Sequence, residues 1–224
     1  MGSSGHARPS GTLSDPDLLP IVRCGDPILR RAAEPVDPDE LRGPQLQLLV
    51  ARMRATMEAA PGVGLAAPQV GVGLQIAVLQ DGPDRWRQLS EGERAARERN
   101  ELPFTVLVNP TLEPVDDDDL VGFYEGCLSV PGFTAVVARY RTVRVRALDQ
   151  YGAPVDDVFS GWAARIAQHE IDHLHGCLYL DRAESRSLST TDNYAARWAG
   201  RSTADAAEAL GFVLPASDKG RARG

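Results

Sequence analysis

The chain has 224 residues, 43% hydrophobic and 25% charged, with a formal net charge of -7. That length fits one globular domain with appended ends rather than two large domains. The acidic balance argues against nucleic-acid binding, which draws on basic patches and an alkaline pI, and no apolar run approaches the ~20 residues needed to span a bilayer.

The opening stretch "MGSSGHARPSGTLSDPD" has no apolar signal core, so secretion is not expected. His6 stands where a myristoylation signal would need Ser or Thr. Residues 1–18, rich in Ser, Gly, Pro and Asp, are expected to lack fixed structure. From Leu46 the apolar residues Leu46, Leu49, Val50, Met53 and Met57 recur at helical spacing, with Pro44 suited to the first turn and an end near Ala60–Gly62. Leu74–Leu79 and Thr105–Asn109 read as strands, and Thr142–Asp149 alternates apolar with charged residues like a half-buried antiparallel strand. After a turn at Gln150–Ala153, Pro154–Phe159 reads as a further short strand.

Residues 82–103 form a charged excursion, expected to be a solvated surface insertion. Within it Ser90 and Glu93 have the spacing of a helix capping box. Asp116–Asp119 is expected to be a solvated loop, since no glycine-centred calcium-loop pattern surrounds it. Residues 183–224 comprise a Ser/Thr-rich connector, a weakly helical stretch from Tyr194 to Phe212 and a polar tail. The expected fold class is α+β, with antiparallel strands packed around one central helix in a main domain over residues 19–182.

Cys24, Cys127 and Cys177 are the three cysteines, an odd number in a chain long enough to bury its own core, which points to a reducing compartment and the cytoplasm. The segment Ser160–Gly176 is punctuated as a helix, with Ser160 as N-cap and Gly176 as C-terminal stop. His169 and His173 stand four apart, so one helical turn puts both imidazoles on one face, where they can grip a metal ion. Glu170, next to the first, can poise water without being a ligand, as in the HExxH pattern. His175 projects from roughly the opposite side and is excluded.

Two histidines need a third ligand and an open position to make a catalytic centre. A metzincin would continue HxxGxxH; Gly176 fits, but Tyr179 stands where the third histidine should be. Other zincins take a later glutamate, and the remaining ones, Glu184 and Glu208, lie in no strongly patterned segment. A cysteine thiolate would also complete the set. Otherwise an unpaired cysteine is a small buried hydrophobe, the reading given to Cys24 and mostly to Cys177. Spacing alone does not choose among the three.

Three stretches, "GVGLAAPQ" (Gly62–Gln69), "EGCLS" (Glu125–Ser129) and "HEIDH" (His169–His173), match in order the signature motifs of peptide deformylase. The resemblance runs from about Ile21 to about Asp181. It implies a deformylase-like fold and a metal-dependent hydrolase that removes the formyl group from the N-terminal formyl-methionine of nascent polypeptides, releasing formate. It assigns Cys127, His169 and His173 to the metal, Glu170 to general acid and base, and Gln69 with the backbone N–H of Leu128 to the oxyanion. Ferrous iron is the implied ion in the cell, with zinc, nickel or cobalt able to replace it. The partners implied are the N-formylmethionyl peptide and a transient ribosome contact, with no DNA and no membrane.

The same alignment lines a methionine pocket with Val63, Phe123, Trp162, Arg165 and Ile166, and counts Gly64 and Glu125 among the substrate-binding residues. Gly62 and Gly64 would let the backbone turn tightly and approach an extended peptide. Trp162 is bulkier than the family's usual aliphatic residue, and Arg165 would pack its stem at the rim with its head in water. Asp172 would be structural, paired with an arginine. Two other readings, a zincin-type peptidase cutting internal bonds and a closed, non-catalytic metal-binding module, leave "GVGLAAPQ" unexplained.

Overall fold

The computed structural model describes residues 18–87 and 89–215. The expected unstructured start and polar tail fall, at residues 1–17 and 216–224, outside the described residues. In chain order the elements are α1 (Pro44–Ala59), β1 (Gly64–Ala66), β2 (Ile76–Asp81), the short helices α2 (Pro83–Trp86) and α3 (Glu91–Ala96), β3 (Leu102–Pro114), β4 (Leu120–Cys127), β5 (Val130–Tyr140), β6 (Thr142–Leu148), β7 (Pro154–Ser160), α4 (Gly161–Leu174), β8 (Ser189–Thr190), α5 (Thr191–Arg197) and α6 (Thr203–Leu210). The strands form two antiparallel sheets, β1-β2-β3-β6-β7 and β4-β5-β8. The α+β class stands.

The larger sheet is sandwiched between two helices, and the alternation along its strands says why. On β2, Ala77 and Leu79 join the core built with Ala164, Ala167, Ile171 and Leu174 of α4, while Ile76 and Val78 join Val50, Met53 and Met57 of α1. Successive side chains leave a strand on opposite sides, so a strand covered on both faces must be apolar throughout. Each fully buried aliphatic side chain contributes about 1.5–3 kcal/mol. On β6 only one face is covered: Val143 and Val145 are buried, and Arg144 and Arg146 are exposed.

The smaller sheet was not legible in the sequence. Its strands include Gly122, Gly126 and Gly132, which interrupt the apolar pattern, and they bury Glu125 and Arg139. One face packs Ala135 and Val137 against Leu29, Leu178 and Tyr179. The other packs Val136 against Ala206, Ala207 and Phe212, so the C-terminal helices complete this sheet's core. Helix α5 starts on a Thr190 hydroxyl cap and α6 on a Ser202–Asp205 capping box, which gives the weak helical pattern two defined starts.

The excursion between β2 and β3 begins α3 at Ser90 and Glu93 as expected, with reciprocal bonds of 2.8 Å and 3.2 Å. It is not simply solvated. Trp86 is buried and donates from Nε1 to Asp81 at 2.9 Å, and Arg99 reaches back to the same carboxylate. In the acidic run Asp116, Asp117 and Asp118 are exposed, whereas Asp119 pairs with Arg141 at 3.0 Å. Among the described residues no helix is long and apolar enough to cross a membrane.

Candidate metal centre and its cleft

Helix α4 carries two unlike faces. Ala164, Ala167, Ile171 and Leu174 are spaced to enter the large-sheet core. Arg165, His169, Asp172 and His173 turn to side chains of the small sheet. His175 is exposed, as its angular position requires. Ser160 occupies the N-cap position but makes no side-chain capping bond; its hydroxyl instead lies across from Thr142 on β6.

The end of β4 delivers Cys127 to the two histidines. Cys127 Sγ lies 3.3 Å from His173 Nε2, and the donor atoms of Cys127, His169 and His173 all lie within 4.8 Å of one another. Among the described residues this is the only three-donor cluster. One soft sulfur and two imidazoles suit zinc or ferrous iron. Glu184 and Glu208 do not join it, and Glu184 instead accepts from the backbone N–H of Arg186 as a cap. Tyr179 stacks on His169 with ring centroids 6.1 Å apart. Cys24, expected to be buried, is exposed, and Cys177 is only partly buried. Cys24 sits in a turn closed by the Asp26 N–H donating to Arg23 O at 3.2 Å, and its own N–H donates to Ser129 O at 2.8 Å.

Charges behind the cluster set its protonation. Glu125 Oε2 accepts from His169 Nδ1 at 2.9 Å, which turns the other ring nitrogen outward. Burial alone would raise the Glu125 carboxyl, yet Arg139, His169 and Arg165 together hold it well below the usual carboxylate range. Burial, reinforced by His169 and Arg139, pushes His173 well below the ordinary histidine value, so its ring is the neutral form that ligates metals. Burial pushes the Glu170 carboxyl up to about 7. A group poised there can both take and return a proton near neutrality.

Glu125 and Asp172 are held by a common arginine. Arg139 donates from Nε and Nη2 to the two Glu125 oxygens at 3.0 Å each, and from Nη1 to Asp172 Oδ2. Arg182 adds bonds of 2.9 Å and 3.0 Å to Asp172. Asp172 is thus arginine-paired, as expected. Arg165 differs from expectation. Only 4% exposed, it donates to Glu125 Oε1 at 2.5 Å and to the carbonyls of Val137 and Val121, so its head is buried and not at a wet rim. The carboxylate and two carbonyls offset the desolvation that would otherwise expel it. Glu125 correspondingly spends its oxygens on Arg139, Arg165 and His169, and supports the cluster from within.

A cleft of about 360 Å³ opens beside the donors, with Val63, Gly64, Gln69, Glu125, Leu128, Trp162, Arg165 and Ile166 in its wall. Phe123 is absent from that wall; it stands behind Trp162, edge to face at 6.2 Å. Gln69 is buried, and its Oε1 accepts from Ala66 N at 2.8 Å. That bond aims its Nε2 at Cys127 Sγ, 3.5 Å away, and at Ser129 Oγ, 3.3 Å away. Neither Gly62 nor Gly64 has a positive φ. They are needed for space: a Cβ on Gly64 would lie 2.3 Å from Glu170 Oε1, and one on Gly62 would lie 2.8 Å from Leu128 Cδ1. Tyr124, Val130, Pro131, Phe133 and Thr191 also line the wall and were not singled out from the sequence. They come from β4, β5 and the C-terminal extension, where no motif marked them.

A sequence profile described as polypeptide deformylase matches residues 18–189. The chain is 56% identical over 197 residues to peptide deformylase 3 of Streptomyces avermitilis, covering 88% of this chain and 85% of that protein. It is 43% identical over 175 residues to the mitochondrial peptide deformylase of Homo sapiens, covering 78% and 72%. Among solved structures, the class I type b peptide deformylase of Acinetobacter baumannii bound to Met-Ala-Ser is similar with a TM-score of 0.64 and 36% identity, covering 74% of this chain and 98% of that one.

Proposed function

The chain belongs to the peptide deformylase family and is an enzyme that removes the N-formyl group from nascent polypeptides, and we propose that Cys127, His169 and His173 hold its divalent metal ion while Glu170 moves the proton. The observation that carries this division is the meeting of one sulfur and two imbedded imidazoles beside a buried carboxyl at the foot of a cleft. When bound, the ion supplies Lewis-acid chemistry, polarising the formyl carbonyl and acidifying solvent water.

Glu170 takes the proton of the attacking water and hands it to the departing amine. The formyl oxygen, which gains charge as its carbon becomes tetrahedral, is faced by Gln69 Nε2–H and the backbone N–H of Leu128. Loss of one such donor typically lowers the rate by ~10²–10³. Val63, Trp162 and Ile166 enclose the methionine side chain, and the main chain near Gly64 pairs with the peptide backbone. Arg139 and Glu125 hold His169 in the orientation its ligand role needs.

Ferrous iron is the proposed ion in the cell, with zinc, nickel and cobalt as replacements. A thiolate ligand makes oxidation a route to inactivation. The proposed location is the cytoplasm, where a transient contact with the ribosome would bring the enzyme to its substrate.

Formate release from formyl-Met-Ala by anaerobically handled protein tests the reading, with an internal-bond peptide as the control. Cys127→Ala is expected to lose both metal and formate release. Glu170→Gln is expected to keep its metal while kcat falls by ~10²–10⁴. Full metal retention in Cys127→Ala, or cleavage of the internal bond without formate release, would overturn it.

A further inference from the structure

The excursion between β2 and β3 ends against the back of the cleft wall. Arg99 lies with its guanidinium 5.3 Å from the Trp162 ring centroid, and Arg97 lies 5.8 Å from the same ring and 5.8 Å from that of Phe123. Those separations fall inside the ~6 Å within which a cation is attracted to an aromatic face. Arg99 is itself fixed: its Nε and Nη2 donate at 2.7 Å and 3.0 Å to Asp81, which is 1% exposed. Asp81 also accepts from Trp86 at the start of the excursion, so one buried carboxylate ties down both its ends.

The docking is tight at the base of α4. Gly161 has φ +58, and a Cβ there would lie 2.5 Å from Glu98 Cβ and 2.6 Å from Glu98 O. Glu98 itself sits at φ +47 and pairs with Arg141. A non-glycine residue keeps such a conformation only where its surroundings hold it. Only about 20 Å³ remains between the excursion and the wall, in a gap lined by Ala96, Arg97, Phe123, Trp162 and Arg165 among others.

Trp162 has no polar anchor of its own. Its indole N–H is buried without a hydrogen-bond partner among the described residues. Contacts on the ring therefore decide where the indole stands, and beyond the large-sheet core they include Phe123, Arg165 and the two arginines of the excursion.

We propose that the 82–101 segment is a specificity-setting brace: Arg99, locked to Asp81, and Arg97 press Trp162 into the cleft and so limit which first side chain of the formylated peptide is accepted. Arg97, Arg99 and Asp81 are positioning residues, acting through the indole and touching no reacting atom. The inference rests on the deformylase reading of the cleft.

The test measures formate release from formyl-Met-Ala and from the bulkier formyl-Phe-Ala by the wild type, Arg99→Gln, Arg97→Ala, Trp162→Leu and the double variant Trp162→Leu/Arg99→Gln. Circular dichroism and metal content serve as checks on folding and loading. Freed of its brace, Trp162 should yield, so Arg99→Gln should raise the Phe-to-Met ratio of kcat/KM by about tenfold, on the scale of a methylene's worth of pocket discrimination. The change should lie mainly in KM for the bulky peptide. Trp162→Leu should shift the ratio further, and adding Arg99→Gln to it should change nothing more. Arg97→Ala, outside the Asp81 pair, should shift the ratio in the same direction even if Arg99→Gln fails to fold. An unchanged ratio in a folded, metal-loaded single variant overturns the brace. So does an Arg99→Gln effect that persists undiminished in the Trp162→Leu background. A wild type that releases no formate from either peptide overturns the deformylase reading itself.

Discussion

The two faces of α4 are held by different physics. Toward the large sheet, Ala164, Ala167, Ile171 and Leu174 sit in a continuous apolar core with β2, β3 and β6. Such contacts are non-directional, and each group contributes in proportion to the area it removes from water. Toward the small sheet, the same helix presents Arg165, His169 and Asp172 to Glu125 and Arg139. Arg165, Asp172, Glu125 and Arg139 are buried ions, stable only while every partner is in place. The apolar face fixes where the helix lies. The charged face fixes where its imidazoles point.

That contrast can be broken by three substitutions. The largest effect should follow Arg139→Met, which leaves Glu125 and Asp172 short of their shared cation in a buried setting. Removing one partner of a buried pair costs ~3–5 kcal/mol, visible as a lowered urea midpoint. Metal content should fall with it, because Glu125 orients His169. Should Arg139→Met prove as mild as an apolar truncation, the distinction between the faces fails.

Gly64→Ala sharpens the comparison at the junction of sheet and helix. The new Cβ would collide with the Glu170 carboxylate, so kcat should fall sharply while metal content holds, and overpacking should cost ~1–3 kcal/mol of stability. Equal losses of metal and activity would mean that the collision is relieved by moving α4 as a whole. The smallest effect is expected on the apolar face: Ile171→Val should lower stability by ~0.5–1.5 kcal/mol and leave metal content and kcat/KM unchanged.

The missed elements share a cause. The helix from Pro44, the strands near Ile76, Leu102, Thr142 and Pro154 and the metal-binding helix all announce themselves by local period. β4 and β5 do not, because Glu125 and Arg139 face inward where a periodic reading expects apolar side chains. Arg165 was misplaced for the same reason: a lone arginine on a helix reads as solvated until the carboxylate that receives it, 40 residues away, is known. The charged excursion likewise reads as solvent-facing, although Asp81 buries one of its cations.

The amino-acid order by itself determined the α+β class, the paired imidazoles one turn apart and, through three ordered motifs, the family. These depend on spacing along the chain, which the geometry of a helix or strand converts directly into a face. Motif context also singled out Cys127 from Cys24 and Cys177. Only the tertiary structure decided that Glu125 supports the histidines from behind, that the Arg165 head is buried against it, and that a distant excursion backs Trp162. A buried charge and a cleft wall are each defined by partners remote in sequence, and only folding sets the distances between them.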